Sequence, residues 1–194
     1  MPPSSLVGGE PGPARRQPAR ATGATHRQRW AVETMAVAPH DRLLEIGCGG
    51  GVAVSLVAPL LTTGTIVAID RAATMVRLAT ERNASHISAG RAEIRRGDFE
   101  SVELPAGHFT KIFAVNVSLF WLGAAAPRID RMRRLLAPGG VLHVFGERPA
   151  SATATANLVS TERLLRAHGF ETTTSVATRG RGRVLTSVTG TLTS

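Results

Sequence analysis

The sequence predicts an α/β fold: a doubly wound, mostly parallel seven-stranded sheet that ends in an antiparallel hairpin. Three observations predict it. Strand-like and helix-like segments alternate along the chain, the pattern of parallel strands joined by crossover helices. A glycine loop, Gly47-Cys48-Gly49-Gly50-Gly51, separates an apolar run from a helix-like stretch, and a strand, a glycine loop and a helix in that order cradle a nucleotide. Two β-branched runs flank Arg179-Gly180-Arg181-Gly182 near the end of the sequence, which reads as a hairpin turn.

The elements follow in order. Residues 1–25 are rich in Pro, Gly, Ala and Arg with few apolar anchors, and are expected to form a disordered tail; residues 26–194 form the expected domain. Arg27–Val37 carries Trp30, Ala31, Thr34 and Met35 at helical spacing, and Pro39 stops it. Arg42–Ile46 is the first strand. Val52–Leu61 is a helix that Pro59 shortens or kinks. Thr65–Ile69, a β-branched run, is the second strand. Ala73–Asn83 is a helix, Ala92–Arg95 a short third strand and Lys111–Val117 a fourth, apolar enough to be central. Pro127–Leu136 is a helix stopped by Pro138-Gly139-Gly140, and Val141–Phe145 is the fifth strand. Ala156–His168 is a helix closed by Gly169. Glu171–Thr178 and Arg183–Thr191 form the hairpin.

Composition narrows the function. The 194 residues make about one domain, with 43% hydrophobic residues to build its core. No apolar run reaches the ~18 residues of a membrane span, and the basic N-terminus lacks the apolar centre of a secretory signal. Its arginines suit a transit peptide, but prolines and glycines break any amphipathic helix there. The single cysteine, Cys48, cannot form an internal disulfide, which fits a cytoplasmic protein. No Cys or His cluster has metal-ligand spacing. Net charge is +9, carried by arginine with Lys111 as the one lysine. Such charge suits nucleic acid, yet it is dispersed, and the absence of Tyr and scarcity of other aromatics leave little for base stacking.

The glycine loop carries the chemistry. Glycines let backbone lie flat against a ligand. The dinucleotide fingerprint needs Gly or Ala where Val52 stands, and Glu45, two residues before the first glycine, would repel a pyrophosphate. An acid there suits a ligand with a nucleoside and positive charge but no phosphate: S-adenosylmethionine. Leu43–Gly51 resembles the first motif of the class I S-adenosylmethionine-dependent methyltransferases. Ile69-Asp70 resembles that family's acidic strand end, Gly97-Asp98-Phe99 its adenine-binding turn, and Leu136-Ala137-Pro138-Gly139-Gly140 its turn before the fifth strand. The resemblance covers roughly residues 30–190.

The resemblance implies a Rossmann-like methyltransferase fold and a cofactor site of Glu45, Gly47, Cys48, Gly49, Asp70, Arg71, Asp98, Phe99 and Asn116. Asp70 would accept from both ribose hydroxyls. Arg71 would lay its stem on adenine or stand solvated. Asp98 would accept from the adenine amine, and the Phe99 amide would donate to a ring nitrogen. Glu45 would orient the loop or meet the ammonium group. Asn116 would face the methionine part or cap its strand. Cys48 reads as a small turn residue rather than a nucleophile.

Methyl transfer from a sulfonium needs positioning and water exclusion more than a fixed base, and none is assigned. His108, His143 and Glu147 are the candidates for that role. His143 reads as a sheet-face histidine, His108 stands away from the expected mouth, and Glu147 follows the fifth strand on the correct edge. Trp30, Phe120, Trp121 and Glu147 are the candidate acceptor contacts, with the first helix lying over the mouth. The sequence favours a small-molecule acceptor over RNA or protein. A non-catalytic S-adenosylmethionine-binding protein is the rival of another class, and a nicotinamide reductase is disfavoured by Glu45 and Val52. Oligomeric state is not legible.

Overall fold

In the computed structural model, residues 23–118, 125–179 and 182–193 are described. Helix α1 (Gly23–Met35) leads into β1 (Arg42–Ile46), α2 (Val52–Val57), a 3-10 turn at Ala58–Leu60, β2 (Thr65–Asp70), α3 (Ala73–Arg82), the short α4 (Ala84–Ser88) and β3 (Ala92–Arg96). Then come β4 (Phe109–Val115), α5 (Ala125–Leu135), β5 (Leu136–Pro149), α6 (Ala152–Ala167), β6 (Phe170–Arg179) and β7 (Arg183–Leu192).

The seven strands lie in the order β3-β2-β1-β4-β5-β7-β6. The pairs among β3, β2, β1, β4 and β5 are parallel, and β7 runs antiparallel between β5 and β6. The predicted sheet and its terminal hairpin are therefore present. The order reverses at β1, whose neighbours are β2 and β4, so the crevice at the carboxyl ends of these strands is the expected ligand site.

Two apolar layers sandwich the sheet. One packs Phe109, Ile112, Ile129, Met132, Leu142 and Leu165, and the other Ala31, Met35, Val54, Val57, Phe113 and Phe145. Burying one such side chain contributes about 1.5–3 kcal/mol, so α1, which supplies Ala31 and Met35, is anchored to the second layer rather than lying loosely across it. Its end is marked by Ala36, with φ +45°.

Some boundaries differ from expectation. Helix α1 starts at Gly23 and β4 spans Phe109–Val115 rather than Lys111–Val117. The expected turn at Leu136–Gly140 lies within β5: Phe109 pairs with Leu136 and Lys111 with Val141, so the strand bulges between these pairs. Gly139, at φ +68°, absorbs the bulge. Helix α6 starts four residues early because Ser151 caps it, its hydroxyl accepting from the Ala154 amide at 3.4 Å. Pro59 ends α2 in the 3-10 turn. The hairpin tip at residues 180 and 181 and the tail before residue 23 lie outside the described residues.

At the opposite edge from the crevice, Asp41 is buried and bonded to Lys111 and Thr110. Burial alone would raise its carboxyl, but hydrogen bonds from Lys111, the Ala38 amide and Thr110, with the Lys111 charge, hold it below the usual carboxylate value. No helix among the described residues is long and apolar enough to cross a membrane.

Candidate cofactor site

The loop after β1 turns through three left-handed glycines: Gly47, Gly49 and Gly51 have φ of +73°, +52° and +71°. A Cβ on Gly51 would lie 2.5 Å from Asn83 Nδ2 and 2.9 Å from the Ala79 backbone, whereas one on Gly49 would meet nothing within 4 Å. Gly51 is therefore required by packing, while Gly49 leaves an open face on which a ligand can lie.

Neighbouring elements fix the loop. The amides of Gly47 and Cys48 donate to the Ile69 carbonyl at 2.9 and 3.0 Å. Asp70 takes the Gly49 amide on Oδ2 and the Ala72 amide on Oδ1, both at 2.9 Å. From α3, Arg82 Nε donates to the Gly50 carbonyl at 2.7 Å, and just beyond it Asn83 Nδ2 donates to the Gly51 carbonyl at 3.0 Å. Each carboxylate oxygen has two lone pairs, so Asp70 keeps acceptor capacity after bonding the loop.

A cavity of about 440 Å³ opens at the carboxyl ends of β1–β4. Gly47, Asp70, Arg71, Asp98, Phe99 and Asn116 line it, so six of the nine expected cofactor residues converge there. Val117, Ser118, Glu100 and Arg128 line it too. Glu45, Cys48 and Gly49 are absent from this lining. Asp98 Oδ1 accepts from the Glu100 amide at 2.9 Å, which turns the chain after β3. Phe99 is buried, with the Arg131 guanidinium 5.3 Å from its ring centroid. Asn116 adopts φ +60°, uncommon outside glycine. Its amide donates to the Phe145 carbonyl at 2.8 Å and its Oδ1 accepts from the Glu147 amide at 3.4 Å, tying β4 to β5 at the mouth.

Glu45 lies beneath the loop, 2% exposed, and its Oε2 has no hydrogen-bond partner among the described residues. Burial, then the Asp70 charge, pushes its carboxyl up to about 8. Burial foremost, with the Glu45 and Asp70 charges, also raises the Cys48 thiol, which keeps it un-ionised and unsuited to nucleophilic work.

On the far side of the mouth, Trp30 packs edge-on against Phe145 with centroids 5.7 Å apart. Glu147 is buried and ion-paired to Arg27 of α1 at 2.6 Å and Arg183 of β7 at 2.8 Å. With both oxygens engaged, it is a structural junction rather than a ready proton acceptor. His143 stacks on Phe145 and contacts the Thr189 hydroxyl at 3.1 Å. Burial, with the nearby Lys111 charge, lowers it to about 4. His108 sits in the loop before β4, far from the carboxyl ends. Phe120 and Trp121 lie outside the described residues. Among the described residues no group of His, Cys, Asp and Glu could hold a metal ion.

Sequence reasoning missed the loop's supports, Arg82 and Asn83, and the Arg27–Glu147–Arg183 junction. An Asn at a helix end reads as a cap, and its approach to the glycine loop depends on how α3 packs. The junction joins residues far apart in sequence, and no local pattern marks it.

Comparisons agree with this geometry. A family model described as a methyltransferase domain matches residues 43–140, just over half of the chain. A trans-aconitate 2-methyltransferase from Paracidovorax citrulli is 31% identical over 121 residues, 61% of this chain and 44% of that protein. A malonyl-[acyl-carrier protein] O-methyltransferase from a Paenibacillus species is 33% identical over 107 residues, 54% of this chain and 38% of that protein. The chain thus spans less than half the length of either relative. A crystal structure of an S-adenosylmethionine-dependent methyltransferase from Aquifex aeolicus superimposes with a TM-score of 0.70 at 15% identity, covering 86% of this chain and 89% of that one. By its motifs, its sheet order and the family match, the chain belongs to the class I S-adenosylmethionine-dependent methyltransferases.

Proposed function

We propose that this chain transfers the methyl group of S-adenosylmethionine to a small molecule by in-line displacement. The observation that carries the proposal is the pairing of an open-faced glycine loop with a cavity holding Asp70 and Asp98 at successive strand ends. The donor set fits the cofactor. It offers carboxylates to ribose hydroxyls and an exocyclic amine, and an orphaned buried carboxyl at Glu45 beneath the loop. When bound, the cofactor supplies a methyl group already activated on a sulfonium.

The chain's own residues then position and exclude water. Asp70 accepts from the ribose while holding the loop through Gly49. Asp98 and the Phe99 amide read adenine, with Arg131 clamping the Phe99 ring. Gly47 and Gly49 let the loop backbone lie against the ligand. Arg71 covers the adenine side, and the buried Glu45 carboxyl orients the loop from below. Asn116 fixes the mouth between cofactor and acceptor, and Trp30 on α1 shields it from solvent. Phe120 and Trp121 follow Asn116 closely in sequence and are proposed as acceptor walls. A water-poor mouth and aligned reactants are the terms that lower the barrier, and alignment alone can supply about 7–11 kcal/mol. A cytoplasmic setting suits the unpaired cysteine.

The test is calorimetric titration with S-adenosylmethionine, S-adenosylhomocysteine and NADH in parallel. Binding of the first two and not the third is expected. Failure of a folded protein to bind either adenosyl ligand would overturn the proposal.

A further inference from the structure

The Arg27–Glu147–Arg183 junction lies beside the mouth and has no role in holding the loop or lining the cavity. Three elements meet there: α1 brings Arg27, the end of β5 brings Glu147, and the start of β7 brings Arg183. Its link to the mouth is direct, because the Glu147 amide donates to Asn116 Oδ1 and Asn116 lines the cavity. Trp30, one helical turn along α1 from Arg27, packs on Phe145, and Phe145 and Glu147 lie on the same face of β5.

The charges of this junction do not balance. Among the described residues, two guanidiniums meet one carboxylate. The Glu147 side chain is 3% exposed, Arg27 20% and Arg183 41%, so the carboxylate is enclosed while a guanidinium still reaches solvent. The Arg27 Nε donor is buried and has no acceptor among the described residues. A buried donor without a partner carries an uncompensated desolvation cost.

Resting on the function proposed above, we propose that the acceptor is a small carboxylic acid, held by a carboxylate through Arg27 and Arg183, with Glu147 orienting the two guanidiniums. A guanidinium fork binds a carboxylate with two parallel hydrogen bonds, which fixes the acid's orientation as well as its charge. Glu147 is then a positioning residue, and the excess positive charge draws anions toward the mouth. The names of the two relatives agree with this chemistry, since trans-aconitate and a malonyl group both carry carboxylates.

The experiment is calorimetry on the protein saturated with S-adenosylhomocysteine, using a fixed panel of acetate, malonate, succinate and trans-aconitate beside their methyl esters. At least one acid should bind ten-fold or more tightly than its ester. Arg183→Met should abolish that preference, while Arg183→Lys should keep part of it. Both variants should bind S-adenosylhomocysteine as the wild type does, which also reports that they are folded. The proposal is overturned if no acid binds the loaded protein, if acids and esters bind alike, or if Arg183→Met leaves the preference intact. It is equally overturned if Arg183→Met weakens the adenosyl ligand instead, which would assign the junction to the cofactor's own carboxylate. Failure of the wild type to bind S-adenosylhomocysteine would strike the underlying function, a separate result.

Discussion

Replacing Glu45 with Gln should remove a pH dependence that the buried carboxyl imposes on stability. In the folded chain this group keeps its proton to about pH 8, whereas unfolding returns it to its ordinary value of 4.5. Between these values the unfolded chain binds fewer protons than the folded one, so stability falls as pH rises. Each pH unit at full difference corresponds to about 1.4 kcal/mol. From pH 5 to pH 8 the wild type should therefore lose about 3–4 kcal/mol through this group. Glu45→Gln keeps the volume and cannot ionise, so the loss should vanish and the variant should be the more stable protein at pH 8. His143 acts in the opposite sense: held at about 4 in the fold and 6.5 outside it, it makes stability rise over that interval. That contribution is common to both proteins and drops out of their difference. Urea denaturation of ligand-free protein at about pH 5, 6, 7 and 8 gives the comparison. Parallel stability curves for the two proteins would refute the reasoning.

Other perturbations separate the site from its scaffold. Asp70→Ala should weaken S-adenosylmethionine binding at least ten-fold in calorimetry while the circular dichroism spectrum stays unchanged; a folded variant with wild-type affinity would refute the ribose assignment. Gly51→Ala should lower stability by about 2–4 kcal/mol, from overpacking against Ala79 and Asn83 and from its left-handed φ. Gly49→Ala, with open space above it, should cost only about 1–2 kcal/mol from φ and lose cofactor affinity instead. Thermal melts and titrations of the pair distinguish the two glycines. Asp41→Asn strands the Lys111 ammonium, whose side chain is 14% exposed, and should cost about 3–5 kcal/mol in denaturant unfolding. In the wild type the Asp41 contribution is present above pH 3.8 and is lost as pH falls through the lower value of the folded state.

Much of the fold was legible because its signals are local. The β-branched run Thr65–Ile69, the apolar run before Gly47 and the alternation of segments declare strands and helices without tertiary information. The cavity-lining residues were legible for a related reason: Asp70, Asp98 and Asn116 each stand at or just beyond a strand end, and a parallel sheet gathers such ends on one edge. What failed to show depended on packing. The bulge in β5 arises because Phe109 and Lys111 pair with residues five apart, and the sequence reads the same segment as a turn. Ser151 extends α6 by capping it, a signal outweighed by the alternating Ala and Thr that follow. Arg82 and Asn83 act on a loop about thirty residues earlier, and Glu147 finds its partners on α1 and β7.

The placement of β7 has a consequence for how the protein is made. Residues 183–192 are synthesised after β6, yet they occupy an interior position between β5 and β6. Until they emerge, β5 and β6 each present an unpaired edge, the kind of surface that recruits other chains. The five parallel strands can associate during synthesis, but β6 can join the sheet only once β7 has emerged to bridge it to β5. Nascent chains stalled before residue 183 should be the aggregation-prone species, and holdase chaperones the factors that set the yield.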